Sequence, residues 1–130
     1  MIEVYTDGAA SGNPGPSAAG VYIKLGNNHW EHRFYLGDLS NHEAEFWAVI
    51  HGLEICKRDF PGEIISIRSD SRVVVDTIEK EFTKNVKYLP LLSKIQELKQ
   101  SFPYVFIKWI PEKHNKNADR IARAALKENH

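Results

Sequence analysis

The 130-residue sequence has little of several features that would place it in a specialised class. It holds a single cysteine, Cys56, so no intrachain disulfide can form and we expect a reducing compartment. No apolar run approaches the roughly 20 residues that span a bilayer, which argues against a membrane protein. No basic segment followed by an apolar one stands at the N-terminus, so we expect no secretory signal and a cytoplasmic location.

Net charge is also absent, because seventeen basic residues balance seventeen acidic ones. Such neutrality is not typical of a protein that attracts nucleic acid over long distances, although a local basic groove remains compatible with it. Hydrophobic residues make up 42% and charged residues 26%, as in ordinary globular proteins. The length suits one domain over residues 1–130, which we expect to be monomeric and without an obligate protein partner.

The order of apolar patterns predicts a mixed α/β protein. Alternating residues predict three strands joined by short turns, hence antiparallel neighbours, and Ser40 with Glu43 forms a capping-box signature before a helix. The predicted strands cover residues 2–9, 18–25, 30–36, 64–69 and 104–110, and the predicted helices about 41–58, 73–78, 89–101 and 116–127. This order predicts a sheet with helices on its faces. The three tryptophans, Trp30, Trp47 and Trp109, are interpreted as core aromatics.

Four acidic residues stand at the ends of these elements. Asp7 follows the first apolar alternation and Asp70 ends the fourth strand, whereas Glu45 and Asp119 lie in the first turns of two helices. Each has an ordinary structural explanation: an Asp-Gly turn for Asp7, a helix N-cap for Asp70, and the helix dipole for the other two. If the first and fourth strands are neighbours, however, all four are expected at one edge of the sheet.

Four carboxylates in one crevice would repel one another unless cations lay among them. Mg²⁺ and Mn²⁺ are the natural partners, because hard divalent ions prefer oxygen ligands. Two such ions about 4 Å apart can stabilise both the attacking and the leaving oxygen of a phosphodiester. The combined pattern therefore favours metal-dependent phosphodiester hydrolysis.

Four motifs, in sequence order, resemble the type 1 ribonuclease H family. They are YTDGAASGNPGP at residues 5–16, Asn-x-x-x-Glu at 41–45, SDS at 69–71, and Asn-x-x-x-Asp at 115–119 followed by Ile-Ala-Arg. The resemblance covers nearly the whole chain. It implies a ribonuclease H-like fold, a single catalytic domain whose five-stranded mixed sheet has the order 3-2-1-4-5 and is flanked by helices. It also implies endonucleolytic cleavage of the RNA strand of RNA–DNA hybrids with two Mg²⁺ or Mn²⁺ ions, leaving 3′-hydroxyl and 5′-phosphate ends.

The same resemblance implies roles for individual residues. The family's metal-binding catalytic carboxylates match Asp7, Glu45, Asp70 and Asp119. Its substrate contacts match Asn13 and Asn41, with Ser40 and Ser71 as further candidates, although helix capping explains Ser40 equally well. Recognition of RNA would rest on its 2′-hydroxyl groups.

Three features depart from the family's pattern. Many members carry a histidine in a longer loop before the last aspartate, whereas His114 precedes Asp119 by only five residues. His114 is either a displaced catalytic equivalent or an ordinary exposed histidine. His42 stands where members often have a second asparagine. The segment 82–92 contains Lys84 and Lys87 but lacks the tryptophans of a substrate-binding protrusion, so we expect modest, salt-sensitive affinity for hybrids.

Three other functions are compatible with parts of the sequence. A ribonuclease H-like module that binds nucleic acid with weak or no cleavage is favoured by the neutral charge, but four intact carboxylates count against it. A proofreading-type exonuclease would need Asp-x-Glu on the first strand, where Gly8 and Ala9 follow Asp7. A phosphatase with an aspartate nucleophile would need a second acid at position 9, which is alanine.

Overall fold

A computed structural model describes residues 1–128 of the chain. The strands in this range are β1 (Ile2–Ala10), β2 (Gly15–Leu25), β3 (Asn28–Leu39), β4 (Ile65–Ser69) and β5 (Val105–Trp109). The helices are α1 (Asn41–Asp59), α2 (Arg72–Lys80), α3 (Leu89–Lys99) and α4 (Lys116–Glu128), and a short 3₁₀ helix covers Glu112–His114. Among residues 1–128, no helix has the length and apolar character that crossing a membrane requires.

The strands form one mixed sheet in the order β3-β2-β1-β4-β5, which confirms the predicted fold class and strand order. β2 runs antiparallel to both β1 and β3, whereas β4 runs parallel to β1 and to β5. Parallel neighbours require a crossover, which α2 and α3 provide between β4 and β5. The carboxyl ends of β1, β4 and β5 therefore open towards the same edge of the sheet.

Helices cover both faces of the sheet. On one face α1 packs over β1 and β2, and α3 packs against α1. On the other face α4 crosses β2 at Gly20, where an added Cβ would lie 2.3 Å from the carbonyl oxygen of Ala118 and 2.5 Å from the nitrogen of Ala122. Because both contacts are with backbone atoms, only glycine allows α4 to lie this close. The core lies mainly between the sheet and α1 and α3, and its buried members include Val4, Ile23, Phe46, Leu53, Ile67 and Ile95.

The predicted first strand, residues 2–9, is confirmed and extends by one residue to Ala10. Asp7 is paired with Gly20, and pairing continues as far as Ala10 with Ser17. The Asp-Gly pair therefore lies inside β1, and the simple turn explanation for Asp7 is wrong. The turn-forming tendency of Asp-Gly is overridden here by hydrogen bonding to β2. The length of that strand pairing cannot be read from a short stretch of sequence.

The tryptophans are less buried than the sequence suggested. Trp30 is 38% exposed and packs its ring edge-on against Phe60, so its interpretation as a core aromatic is wrong. Trp47 and Trp109 are half-buried. Trp30 lies on β3, an edge strand, where the side chain is covered from one direction only.

Candidate active site

Three carboxylates from separate elements converge at the shared edge of the sheet. Asp7 comes from β1, Glu45 from the first turns of α1, and Asp70 directly follows β4. One oxygen of each lies within 4.8 Å of the others. Asp7 is only 7% exposed, whereas Glu45 and Asp70 are half-buried, so Asp7 is the member most removed from water.

The close packing of α1 on β1 places Glu45 in this group. An added Cβ at Gly8 would lie 2.5 Å from the carbonyl carbon of Ala44 and 2.6 Å from the nitrogen of Glu45, so the helix rests directly on the strand. The backbone N–H of Gly8 donates a hydrogen bond to the Glu45 carboxylate. The predicted capping box of Ser40 and Glu43 starts α1 at the position that this contact requires. Gly8 therefore acts as a docking point for the helix.

Asp70 is held by a residue that is distant in sequence. The Nδ2 atom of Asn115 donates to Oδ2 of Asp70 at 3.1 Å and to the carbonyl oxygen of Thr6 at 2.9 Å. Asn115 is 1% exposed, so this bridge between β1 and Asp70 is shielded from solvent. The alternative of Asp70 as a helix N-cap is wrong, because Ser71 caps α2 by accepting a hydrogen bond from the Val74 N–H.

Asp119 lies beside the group but is not one of its three closely spaced members. It stands in the first turn of α4 and lines the same cleft as Asp7, Glu45 and Asp70. Its Oδ1 accepts a hydrogen bond from Nε of Arg123 at 3.0 Å. Both side chains are substantially exposed, so this pair is weak and screened by solvent.

The environment raises the pKa of each inner carboxyl group. Burial is the largest cause for Asp7, and the charge of Glu45 raises its pKa further. Burial also raises the pKa of Glu45, although hydrogen bonds from Asp7 and Gly8 oppose the shift. For Asp70 burial raises the pKa, and the hydrogen bond from Asn115 partly offsets it.

These shifts mean that the group cannot carry its full negative charge alone. It must hold protons or be neutralised by cations. Closely spaced carboxylate oxygens are the ligands that Mg²⁺ and Mn²⁺ prefer, so the donor set fits the divalent ions expected from the sequence.

The carboxylates line an open cleft of about 420 Å³, here called the acidic cleft. Its lining comprises Asp7, Gly8, Ala9, Ala10, Glu45, Asp70, Glu112, Asp119, Arg123 and Leu126. A second depression, the α2 groove, adjoins it and shares Gly8, Glu45, Asp70 and Glu112. The remaining residues that line the α2 groove are Asn41, His42, Ser71, Arg72 and Val73.

Glu112 is a fifth acid of the cleft that sequence reasoning missed. It lies in the 3₁₀ helix after β5 and lines both depressions. Its charge is also a secondary cause, after burial, of the raised pKa of Asp70. The sequence did contain a sign of this role, because Glu112 comes shortly after β5 and Asp70 comes directly after β4.

The predicted substrate-contact residues lie around the start of α1 and α2. Oδ1 of Asn13 accepts a hydrogen bond from the Asn41 N–H at 3.0 Å, which joins the two predicted contacts. Asn41 and Ser71 line the α2 groove. The Ser40 and Ser71 hydroxyls accept the capping hydrogen bonds of α1 and α2. Their additional contact with substrate stays a prediction.

His114 lies apart from these residues. It lines a depression of about 150 Å³ together with Tyr5, Tyr22, Lys24, Asn115 and Asn117. Within residues 1–128, the linings of the acidic cleft and the α2 groove do not include it. Its catalytic role stays a prediction that this placement does not favour.

Two further features were missing from the sequence-based site. Asn115 was expected as part of a family motif, and the structure shows that its side chain also holds Asp70. Arg72 and Trp109 were not connected with each other or with the site. The structure stacks Arg72 on Trp109 beside Asp70, a contact between residues 37 positions apart that no local pattern reveals.

Comparisons with known proteins agree with the fold. A family model described as "Reverse transcriptase-like" matches residues 5–125. The "Putative hydrolase EbsB" of Enterococcus faecalis is 42% identical over 128 residues, which are 97% of this chain and 94% of that protein. The "Ribonuclease HI" of Halobacterium salinarum is 32% identical over 96% of this chain and 64% of its own length. The "Ribonuclease H" of Saccharopolyspora erythraea is 40% identical, but over only 59% of this chain and 48% of that protein.

Solved structures show the same relationship. The crystal structure of RNase H1 from Halobacterium salinarum has a TM-score of 0.90 at 32% identity and covers 98% of both chains. LC11-RNase H1, solved in complex with an RNA/DNA hybrid, has a TM-score of 0.93 at 29% identity and covers 99% of both chains.

Proposed function

This chain belongs to the type 1 ribonuclease H family, and from that premise we propose that it cleaves the RNA strand of RNA–DNA hybrids endonucleolytically. The reaction depends on two divalent cations, Mg²⁺ or Mn²⁺, and leaves 3′-hydroxyl and 5′-phosphate ends. The substrate class is supported by a close structural neighbour that was solved with an RNA/DNA hybrid.

One observation carries the proposal. Three carboxylates from β1, α1 and the end of β4 place their oxygens within 4.8 Å of one another, in a cleft that opens to solvent. Burying like charges so closely opposes folding, and local turns or caps do not explain them. A site for hard cations next to a polyanionic substrate does explain them.

The residues of the site have two kinds of role, metal binding and orientation of the metal-binding carboxylates. Asp7, Glu45 and Asp70 would hold the cations, and Asp119 would complete the site from α4. When bound, the cations supply the positive charge that favours a nucleophilic water and stabilises the charge developing on the phosphate. Asn115 fixes the orientation of Asp70, and the Gly8 N–H fixes that of Glu45.

The residues at the start of α1 are placed to read the substrate. Asn41 lines the α2 groove, and the Asn13 side chain is held beside it by accepting a hydrogen bond from the Asn41 backbone N–H. Their amide groups can exchange hydrogen bonds with 2′-hydroxyl groups, which distinguish RNA from DNA. We propose that they supply the preference for a hybrid over duplex DNA.

A second candidate function is hybrid binding with weak or no cleavage. Two observations favour it: Arg123 already pairs with Asp119, and His114 lines a depression outside the acidic cleft. Because the Arg123 pair is exposed, a cation can displace it at low cost. We therefore rank cleavage above binding alone.

The test is cleavage of an end-labelled RNA–DNA hybrid in Mg²⁺ or in Mn²⁺. Wild-type protein is compared with Asp70→Asn and with Asp76→Asn, a matched change at an exposed position on α2. We expect internal cuts in the RNA strand only. The rate should fall at least about a hundredfold in Asp70→Asn because a charged group of the site is lost. It should be unchanged in Asp76→Asn.

Each other outcome points to a different function. Hybrid binding without cuts in either metal would support the binding module, whereas trimming of DNA from its ends would support an exonuclease. Cuts that persist in Asp70→Asn would refute the role of the carboxylate group.

We also propose a single catalytic domain that acts as a monomer in the cytoplasm. Cys56, the single thiol of the sequence, is buried, which is compatible with a reducing compartment and leaves no disulfide to form. Sedimentation equilibrium of the purified chain measures its molar mass in solution and so tests whether it is a monomer.

A further inference from the structure

Arg72 places a positive charge beside the acidic cleft. It is the first residue of α2 and lines the α2 groove next to Asn41 and Asp70. Its Cζ atom lies 3.8 Å from the centre of the Trp109 ring, which is the distance of a close cation–π stack. The guanidinium group therefore has a defined position although the residue is exposed.

Trp109 is itself anchored to the backbone of the site. It ends β5, where it pairs with Ser69 of β4, and its Nε1–H donates to the carbonyl oxygen of Asp70 at 3.1 Å. The platform under Arg72 is thus fixed to the same residue that supplies a carboxylate to the acidic cleft. The hydrogen bond thus ties the Trp109 ring to the backbone of Asp70.

The charges around the cleft make Arg72 unusual. Arg123, the cation in the lining of the acidic cleft, is already paired with Asp119. Within residues 1–128, no carboxylate forms an ion pair with Arg72. Stacking occupies one flat face of the guanidinium and leaves its in-plane N–H donors available. Such donors match two oxygens of a phosphate.

We propose that Arg72, held in place by Trp109, binds a backbone phosphate of the hybrid in the α2 groove and so positions the substrate at the acidic cleft. This inference rests on the proposed function, because it assigns the substrate of the same site. The five acids of the acidic cleft repel a polyanionic substrate, and the chain has no net positive charge to offset them. Arg72 supplies a local positive charge at this place. Trp109 acts as a positioning residue through Arg72.

The first test is the steady-state kinetics of Arg72→Gln across a series of salt concentrations. The matched control is Arg58→Gln, an exposed arginine in the last turn of α1, some 25 Å along that helix from its start near the cleft. We expect KM for the hybrid to rise about ten- to a hundredfold in Arg72→Gln, as for loss of one charge-assisted hydrogen bond. The turnover number should stay within about twofold, and the salt slope of binding should fall by about one. Arg58→Gln should match wild type.

The second test separates the platform from the charge. Trp109→Leu removes the ring and should raise KM, whereas Trp109→Phe keeps an aromatic face and should raise it less. In the double variant Arg72→Gln/Trp109→Leu, KM should be no higher than in Arg72→Gln alone if Trp109 acts through Arg72. Thermal unfolding of each variant identifies any that is merely destabilised, and KM is compared at a temperature where all are folded.

Hybrid binding is also measured by anisotropy in the Asp7→Asn background, where cleavage does not compete. If wild type cleaves and Arg72→Gln behaves like Arg58→Gln, the Arg72 inference is overturned and the proposed function stands. If the chain binds without cleaving and Arg72→Gln weakens binding, the inference stands and cleavage is refuted. If the chain neither binds nor cleaves the hybrid, both are overturned.

Discussion

Replacing Asp7 by asparagine should stabilise the protein when no divalent cation is present. The change removes one charge from the group formed with Glu45 and Asp70 while it keeps the size and shape of the side chain. Asp7 is 7% exposed, so water relieves little of the repulsion. The native residue therefore lowers the stability of the metal-free fold, as expected for a residue retained for function.

The magnitude follows from the spacing of the charges. Two unit charges about 5 Å apart repel by about 3 kcal/mol at an effective dielectric constant of about 20. Uptake of a proton caps this cost, so we expect Asp7→Asn to raise the free energy of unfolding by about 1–3 kcal/mol near neutral pH. For a chain of this length that is about 3–10 °C in Tm.

The stabilisation should depend on pH in a defined direction. Burial first, and the charge of Glu45 second, raise the pKa of Asp7 above its value in the unfolded chain. The folded protein therefore binds this proton more tightly than the unfolded chain does. That contribution is fully present below about pH 4 and is lost as pH rises towards the folded pKa. The advantage of Asp7→Asn over wild type should accordingly grow between about pH 5 and pH 8.

The assay is thermal and urea unfolding in a chelating buffer at several pH values, repeated with Mg²⁺. Cations that bind the folded carboxylates should stabilise wild type and have less effect on the variant. Asp76→Asn, an exposed change of the same chemistry, should show neither effect. A metal-free wild type as stable as Asp7→Asn at pH 8, or a pH-independent difference, would refute repulsion within the group.

Three other changes test the framework of the site. Gly20→Ala should destabilise the fold by about 1–3 kcal/mol, measured by urea unfolding, and lower cleavage, because its Cβ would push α4 and Asp119 away from the sheet. Asn115→Ala should cost about 1–3 kcal/mol and lower the turnover number more than it raises KM, since Asp70 and a buried carbonyl lose their donor. Arg123→Gln should leave stability within about 0.5 kcal/mol and tighten cation binding measured by calorimetry, because Asp119 becomes free.

Controls for these changes come from the same elements. Gly52→Ala on α1 would meet side-chain methyl groups, the nearest on Val4 at 3.1 Å, and not the backbone, so it should be tolerated better than Gly20→Ala. Asn117→Ala, an exposed change in the first turn of α4, should leave the turnover number unchanged. Equal losses in the Gly20 and Gly52 variants, or a pure stability effect in Asn115→Ala, would contradict the geometry described for α4 and Asp70.

Much of the fold followed from local patterns. The capping box of Ser40 and Glu43 predicted the start of α1, and the period of apolar residues predicted which segments become strands or helices. The strand order came from the family resemblance, because pairing between β1 and β4 joins residues more than 60 positions apart. Strand ends were less predictable: β1 and β3 extend beyond their patterns because their partner β2 is long.

By itself, the sequence determined the chemistry that this protein has available. It places acids after strands and in first turns of helices, and glycines where backbones must approach closely, because these choices depend on residue type and spacing. The tertiary structure alone decided which of these groups meet. It brings Asp7, Glu45 and Asp70 together and lets Asn115 donate a hydrogen bond to Asp70. It also stacks Arg72 on Trp109 and places His114 in a different depression. Such contacts depend on the register of the sheet and the docking of helices, which are set by the packing of the whole chain and not by any one segment.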